Sequence, residues 1–151
     1  LIHGTNKAIV YDSIEAFPVE KELIKELNYI GEIGEEFESA FKNIHSAEWE
    51  TPTEITTCFK LRKIHSKIQD YTIDEEYYDV IFFDAFGPRA QNEMWDIRVL
   101  QKMHDGLVSG GELITYCAQG QFKRDLKSLG FEVVALPGPP GKREMTVAIK
   151  K

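Results

Sequence analysis

The segment Val80-Ile81-Phe82-Phe83 is an unbroken apolar run that ends at the carboxylate of Asp84 and a turn at Gly87-Pro88. A strand of this composition is typical of a parallel sheet that is covered by helices, with both faces buried. In such sheets the carboxyl ends of the strands border the ligand crevice. The sequence therefore predicts that Asp84 lies at a functional edge. The alternative is that Asp84 only begins the next helix, where the helix dipole stabilises a carboxylate.

Strand-like and helix-like segments alternate along the rest of the chain. Strands are predicted at 8–15, 59–64, 78–83 and 112–118, and helices at 18–27, 35–45, 94–107 and 122–129, with the third helix ending at Gly110-Gly111. Two further strands, 131–136 and 145–149, are joined by a linker too short for a crossover helix, which predicts antiparallel neighbours. This order predicts one α/β domain over residues 1–151, doubly wound and mostly parallel, with a reversed last strand.

Composition and charge narrow the classes of function. The 151 residues are 42% hydrophobic and 28% charged, as in an ordinary soluble domain, and the formal net charge is −7. This net charge argues against broad, nonspecific nucleic-acid binding. Basic residues nevertheless crowd the last third of the chain. This cluster has two equally good interpretations: a local edge that faces a polyanion, or solvated helix faces without a binding role.

Other patterns bear on location and on metals. No apolar run approaches the roughly 20 residues that cross a bilayer, and the first residues have no signal-peptide pattern. A cytoplasmic protein without membrane association is expected. Cys58 and Cys117 lie inside strand-like segments and are expected to be buried thiols rather than a disulfide. The four histidines are scattered, so no metal site is predicted.

Two further features suggest ligand binding. Glu15 ends the first predicted strand, where nucleotide-binding α/β folds place an acid that accepts both ribose hydroxyls; the alternative is an exposed acid before a turn. In the loop 138–143, two prolines restrict the chain, so that Lys142 and Arg143 could present fixed cations to phosphate. The alternative there is a stiff hairpin turn with incidental charge. No glycine-rich turn precedes Glu15, although a nucleotide fold needs one.

Four segments, in order, resemble the methyltransferase domain of the MnmC family. They are residues 13–19, residues 83–95 (Phe83-Asp84-Ala85-Phe86-Gly87-Pro88-Arg89-Ala90-Gln91-Asn92-Glu93-Met94-Trp95), residues 115–118 and residues 136–145. The similarity runs from about Tyr11 to the last residue. Four matches in the right order are far more specific than any one of them.

The resemblance implies a Rossmann-like fold and a reaction. Members transfer a methyl group from S-adenosyl-L-methionine to the aminomethyl group of 5-aminomethyl-2-thiouridine at the wobble position of tRNA. The catalytic residues that it implies are Asp84 and Phe86. The cofactor contacts that it implies are Glu15, Ser66, Asp84 and Ala85. The tRNA contacts that it implies are Pro88, Arg89, Lys142 and Arg143, with Arg124 as a further candidate.

Two departures from the family pattern lead to further expectations. Members carry a glycine-rich loop upstream of the segment that matches residues 13–19. They often have an acid where this chain has Lys67, and either Asp70 or a backbone group is expected to replace it. We therefore expect a stand-alone form that lacks the first strand and its loop, belongs to a longer natural protein and contains no FAD domain. A separate FAD-dependent oxidase would be the partner that supplies the amine.

Two other functions stay open. One is an aminopropyltransferase-like enzyme, which has a similar sheet but needs a second acid where this chain has Phe86 and Gly87. The other is a noncatalytic α/β interaction module, because the glycine-rich loop is missing. The sequence does not predict the oligomeric state.

Overall fold

Two sheets carry the elements of this chain. The computed structural model describes residues 7–138, 141 and 144–151. The chain divides into two compact units, Leu1–Asp70 and Tyr71–Lys151, called here the N-terminal unit and the C-terminal unit. Each unit contains one of the sheets.

The N-terminal unit is built on a three-stranded sheet with the order β1-β3-β2. Strands β1 and β3 are parallel, and β2 is antiparallel to β3. A short 3₁₀ turn, Glu35–Phe37, precedes the third helix. The elements are β1 (Ile9–Glu15), α1 (Lys21–Ile24), α2 (Tyr29–Ile33), α3 (Glu38–Ser46), β2 (Thr53–Thr56) and β3 (Phe59–His65).

The first predicted helix is much shorter than its apolar pattern indicates. Only Lys21–Ile24 is helical, and the side chains of Val19, Leu23 and Leu27 are exposed. An isolated short helix is marginal unless its apolar face is buried, so periodicity alone does not sustain this one. The sequence patterns also did not predict α2, which has five residues, or β2, which has four. The predicted strands at β1 and β3 are confirmed.

The C-terminal unit is built on a four-stranded sheet with the order β4-β5-β7-β6. Strands β4 and β5 are parallel, and β7 is antiparallel to both β5 and β6. The predicted reversal of the last strand is therefore confirmed. A 3₁₀ turn, Asn92–Trp95, precedes α4. The elements are β4 (Tyr78–Phe82), α4 (Ile97–Gly106), β5 (Leu107–Thr115), α5 (Gly120–Ser128), β6 (Phe131–Pro137) and β7 (Glu144–Lys150).

Strand β4 is not buried on both faces, contrary to the expectation from its composition. It pairs only with β5 among the described strands and stands at the end of its sheet. The side chain of Phe83 is buried, but those of Val80 and Phe82 are 41% and 64% exposed. An apolar run shows that a strand can be buried, but the neighbouring strands and helices decide whether it is.

The predicted end of the third helix at Gly110-Gly111 is also wrong. Helix α4 ends at Gly106, and β5 begins at the next residue. Both glycines lie inside β5, where the register with β4 shifts between the pairs Tyr78–Leu107 and Val80–Glu112. Gly110 has a φ of +80°, a conformation that glycine adopts without steric cost. These glycines therefore mark an irregular strand, not a helix stop.

Cys58 and Cys117 are free thiols and are half-buried, rather than buried as expected.

Among the helices of the described residues, none has both the length and the apolar character that crossing a bilayer requires.

Candidate active site

Asp84 is held at the end of β4 by the strand pairing next to it. The backbone N–H of Phe83 donates to the carbonyl oxygen of Ile114 on β5 at 2.8 Å. Asp84 is the next residue and is exposed. Within residues 84–91, all of which the structure describes, no helix begins. Asp84 therefore does not start a helix, and its alternative interpretation as a helix N-terminal acid is wrong.

The loop that follows Asp84 is held together by hydrogen bonds to two of its backbone carbonyl groups. The indole Nε1–H of Trp95 donates to the carbonyl oxygen of Phe86 at 2.8 Å. The backbone N–H groups of Ala90 and Gln91 donate to the carbonyl oxygen of Gly87 at 2.8 and 3.1 Å. The Phe86 side chain points outward and is 76% exposed. An exposed aromatic ring on a closed loop is available to a planar ligand.

The predicted tRNA contacts on this loop differ in accessibility. Pro88 is half-buried, whereas Arg89 is exposed. Ala85, the predicted cofactor contact between Asp84 and Phe86, is half-buried. The loop therefore presents a carboxylate, an aromatic ring and a guanidinium group to solvent within six consecutive positions of the sequence.

The end of β5 lies at the same edge, because β4 and β5 are parallel. Tyr116 follows β5 directly and is 45% exposed. Its neighbours are anchored: the N–H of Cys117 donates to Thr115 Oγ1 at 3.3 Å, and Thr146 Oγ1 donates to the Cys117 carbonyl at 2.7 Å. Reasoning from the residues gave Tyr116 no role. Its position just after a strand parallel to β4 is the signal that could have identified it.

Glu15 and Ser66 share an edge of the other sheet, within the N-terminal unit. Glu15 pairs in register with His65 at the ends of the parallel strands β1 and β3, and Ser66 follows. Glu15 Oε1 accepts the backbone N–H of Phe17 at 2.7 Å. Ser66 Oγ donates to the carbonyl of Lys67 at 3.0 Å. The structure thus brings these two predicted cofactor residues together, although both already take part in local turns.

Several basic residues of the last third are paired inside the C-terminal unit. Lys123 Nζ lies 2.7 Å from Glu144 Oε1, and Lys150 Nζ donates to the carbonyl of Leu107 at 2.7 Å. Arg124 donates to the side-chain oxygen of Gln121. Lys142 and Arg143, the predicted phosphate contacts, lie outside the described residues. The basic region had two interpretations, an edge that faces a polyanion and ordinary solvated surface. Because Lys123 and Lys150 already bind acceptors within the unit, ordinary surface is favoured at these two positions.

Within residues 7–138, 141 and 144–151, no group of three or more His, Cys, Asp or Glu side chains could hold a metal ion. The groups that the candidate site presents are carboxylate, aromatic and hydroxyl side chains.

The family to which the chain belongs shows its class of protein. Residues 29–151 match the family model described as S-adenosyl-L-methionine-dependent methyltransferase. The chain belongs to this family, and its α/β fold is confirmed by the same match.

The individual relatives that it resembles carry a more specific name. A segment of 70 residues is 40% identical to the tRNA 5-methylaminomethyl-2-thiouridine biosynthesis bifunctional protein MnmC of Cupriavidus necator, over 46% of this chain and 11% of that protein. A segment of 69 residues is 38% identical to the protein of the same name from a Marinomonas species, over 46% of this chain and 10% of that protein. The aligned part of the chain thus spans about a tenth of these relatives.

A solved structure supports the same fold. The crystal structure of MNMC2 from Aquifex aeolicus superimposes with a TM-score of 0.67 at 18% identity, over 95% of this chain and 44% of that chain. At this identity the likeness shows the fold alone. Together with the sequence relatives, it confirms the resemblance to the MnmC methyltransferase domain.

The residues of the N-terminal unit fit a ribose in part. Glu15 has one oxygen engaged by Phe17, and its second oxygen, Oε2, has no partner among the described residues. A carboxylate oxygen can accept more than one hydroxyl. Ser66 has already donated its hydroxyl hydrogen, so it can only accept. The side-chain chemistry at this edge is therefore compatible with the ribose of the cofactor that the family uses.

Proposed function

We propose that this chain is the methyltransferase part of an enzyme that methylates the aminomethyl group of 5-aminomethyl-2-thiouridine at the tRNA wobble position. The observation that carries the proposal is the Asp84-Ala85-Phe86 loop at the β4–β5 edge, with its carboxylate and aromatic ring both exposed. The relatives named for 5-methylaminomethyl-2-thiouridine biosynthesis support this choice of substrate. The family match over residues 29–151 includes parts of both units, which supports a single methyltransferase domain.

The chemistry assigned to the loop is the alignment of an amine. S-adenosyl-L-methionine, when bound, supplies an electrophilic methyl group on its sulfonium. Asp84 accepts a hydrogen bond from the neutral amine and orients the nitrogen lone pair for in-line attack, which is chiefly an effect of positioning. Methylation would leave a positive charge on the amine nitrogen, and the Asp84 carboxylate would stabilise that charge. Phe86 provides a surface for the pyrimidine ring.

Cofactor binding is assigned to four residues. Glu15 would accept the ribose hydroxyls through Oε2, and Ser66 would accept from a donor on the adenosine. Asp84 and Ala85 would border the methyl-bearing end. These assignments come from the resemblance to the MnmC family, and the four residues lie at or shortly after the ends of β1, β3 and β4.

Contacts with tRNA are assigned to Pro88, Arg89, Lys142 and Arg143, with Arg124 as a further candidate. Arg89 and Arg124 are exposed, and cations that neutralise phosphates make binding weaker as the salt concentration rises. A cytoplasmic location stays a prediction that action on tRNA would fit. A separate FAD-dependent oxidase that supplies the amine stays a prediction.

The aminopropyltransferase-like alternative has less support. It needs a second acid a few residues after Asp84, and the exposed side chain there is that of Phe86. The noncatalytic alternative predicts that the chain does not bind S-adenosyl-L-methionine. Calorimetric titration with S-adenosyl-L-methionine tests this directly.

The decisive experiment follows transfer of a labelled methyl group to tRNA that carries 5-aminomethyl-2-thiouridine. Asp84→Ala should lower kcat/KM by roughly 100-fold, because the amine loses its orienting partner. Asp79→Ala is the matched control, because Asp79 is an exposed acid at the opposite end of β4 and should leave the rate near that of the wild type. Near wild-type activity of Asp84→Ala would contradict the catalytic assignment.

A further inference from the structure

Trp95 is a buried aromatic residue at the base of the catalytic loop. Its side chain is only 8% exposed, although the 3₁₀ turn that carries it follows a surface loop. Its ring lies between those of Phe83 and Phe122, with both centroid separations 4.9 Å. These contacts fix the plane of the indole, and with it the direction of its single N–H group.

The indole N–H reaches back along the chain to the loop. Nε1 donates to the carbonyl oxygen of Phe86 at 2.8 Å, across nine positions of sequence. A buried indole N–H without an acceptor is costly, because it gives up its hydrogen bond to water. The Trp95–Phe86 hydrogen bond therefore favours the conformation in which the Phe86 carbonyl turns inward, while its side chain stays exposed.

Trp95 contacts both ends of the short segment that carries Asp84. At one end, the Phe83 ring contacts the indole in a tilted arrangement, and the backbone N–H of Phe83 donates to the carbonyl oxygen of Ile114. At the other end, the carbonyl of Phe86 accepts the indole N–H. Asp84 and Ala85 are the two residues between these fixed points. One side chain thus limits the backbone freedom of the residues that present the carboxylate.

We propose that Trp95 is a positioning residue that holds the Phe83–Phe86 segment in the conformation needed for methyl transfer. The catalytic consequence rests on the proposed function of Asp84 and Phe86. Trp95 acts through the Phe86 carbonyl and does not itself meet the substrate. Its N–H group, rather than its bulk alone, supplies the effect.

Trp95→Phe tests the role of the N–H, because phenylalanine keeps an aromatic ring between Phe83 and Phe122 but has no donor. We expect kcat to fall by roughly 10- to 100-fold, since small displacements of aligned groups cost this much. The affinity for S-adenosyl-L-methionine and the KM for tRNA should change less than kcat, because Glu15, Ser66 and the proposed phosphate contacts lie outside this segment. A wild-type kcat in a folded Trp95→Phe variant would overturn the proposal.

Phe122→Leu is the matched packing control. It weakens the edge-to-face contact between the Trp95 and Phe122 rings but leaves the N–H and its acceptor in place. It should lower thermal stability while kcat stays near that of the wild type. If Phe122→Leu lowered kcat as much as Trp95→Phe, packing would explain the effect and the role of the N–H would be refuted.

A spectroscopic measurement tests the hydrogen bond independently of enzyme activity. The chain has two tryptophans, so a nitrogen–proton spectrum shows two indole signals, and Trp95→Phe identifies which one belongs to Trp95. The Trp95 signal should exchange slowly with solvent. Exchange as fast as that of a free indole would overturn the proposal even if a variant failed to fold. An inactive wild type with a protected Trp95 indole would instead refute the proposed function and leave the Trp95–Phe86 hydrogen bond standing.

Discussion

The two units differ in how much apolar surface they bury. In the described part of the N-terminal unit the buried apolar side chains are those of Ile55, Leu61, Ile64 and Ile68, and all the rest belong to the C-terminal unit. The region from Phe17 to Ile33 exposes several large apolar side chains, namely Phe17, Val19, Leu23, Leu27, Tyr29 and Ile33. The C-terminal unit therefore has the larger packed core.

This difference matches the tasks proposed for the two units. The loop with Asp84 and Phe86 follows a strand whose last buried residue, Phe83, contacts Trp95. Glu15 and Ser66 instead stand on a sheet with a small core. Regions with few buried apolar contacts open at lower free-energy cost. The proposed catalytic loop therefore stands on a more rigid support than the proposed ribose contacts do.

The largest expected effect comes from core truncation in the two units. Leu100 on α4 is 0% exposed and Leu61 on β3 is 4% exposed. Leu100→Ala should lower the free energy of unfolding by about 4 kcal/mol and Leu61→Ala by about 2–3 kcal/mol, because a cavity in the denser core relaxes less. Urea unfolding measures both.

Each unit has one tryptophan, Trp49 in the N-terminal unit and Trp95 in the C-terminal unit. Fluorescence in a Trp49→Phe background therefore reports Leu100→Ala, and fluorescence in a Trp95→Phe background reports Leu61→Ala, each against its own parent. Equal losses from Leu100→Ala and Leu61→Ala would break the contrast between the two cores. A larger loss from Leu61→Ala would reverse it.

A smaller effect is expected from acid in the C-terminal unit. The Asp96 side chain accepts the N–H of Arg98 at the start of α4, and the hydrogen bonds and charge of Arg98 lower the pKa of Asp96 from 3.8 to about 2. Because the folded pKa lies below the unfolded one, this stabilisation is present above pH 3.8 and is lost as the pH falls toward 2. Asp96→Asn should remove this part of the acid sensitivity.

Melting temperatures of wild type and Asp96→Asn, compared at about pH 5 and about pH 2.5, isolate the Asp96 contribution from those of the other carboxylates. The difference between the two proteins should shrink at the lower pH. A constant difference at both pH values would show that the ionisation of Asp96 contributes nothing.

The smallest expected effect lies in the N-terminal unit and at higher pH. Burial, and then the nearby charge of Lys63, lower the pKa of His45 below 6.5. The folded state therefore disfavours the charged ring, and stability falls as the pH drops below 6.5 toward the folded pKa. His45→Gln should flatten the stability profile in this window.

Trp49 is a suitable reporter for the His45 test, because the Lys63 ammonium lies 5.1 Å from the centre of its ring and also donates to the His45 carbonyl. Thermal melts followed by fluorescence at about pH 7.5 and about pH 5.5 would measure the effect. An unchanged pH dependence in His45→Gln would assign the acid sensitivity of this unit to other groups.

Much of the fold was predictable where a local signal decides the structure. The helix predicted at 122–129 is α5, and Gly130 lies just beyond its C-terminal end with a φ of +97°. The antiparallel pairing of β6 and β7 followed from the short linker and is confirmed by seven paired positions from Phe131 to Pro137. Gly110 misled the prediction, because the same residue type serves both a helix end and a bulged strand.

The sequence by itself determined the family, the alternation of strands and helices, and Asp84 as the acid that follows the apolar strand. These properties depend on the order of residue types along the chain, and they can be predicted without knowing which residues meet in the folded protein. The tertiary structure decided that Val80 and Phe82 are exposed at the end of a sheet, that Glu15 is engaged by Phe17, and that Trp95 holds the Phe86 carbonyl. Such properties depend on which surfaces meet after folding. Burial and hydrogen bonds are set by contacts that no local sequence pattern predicts.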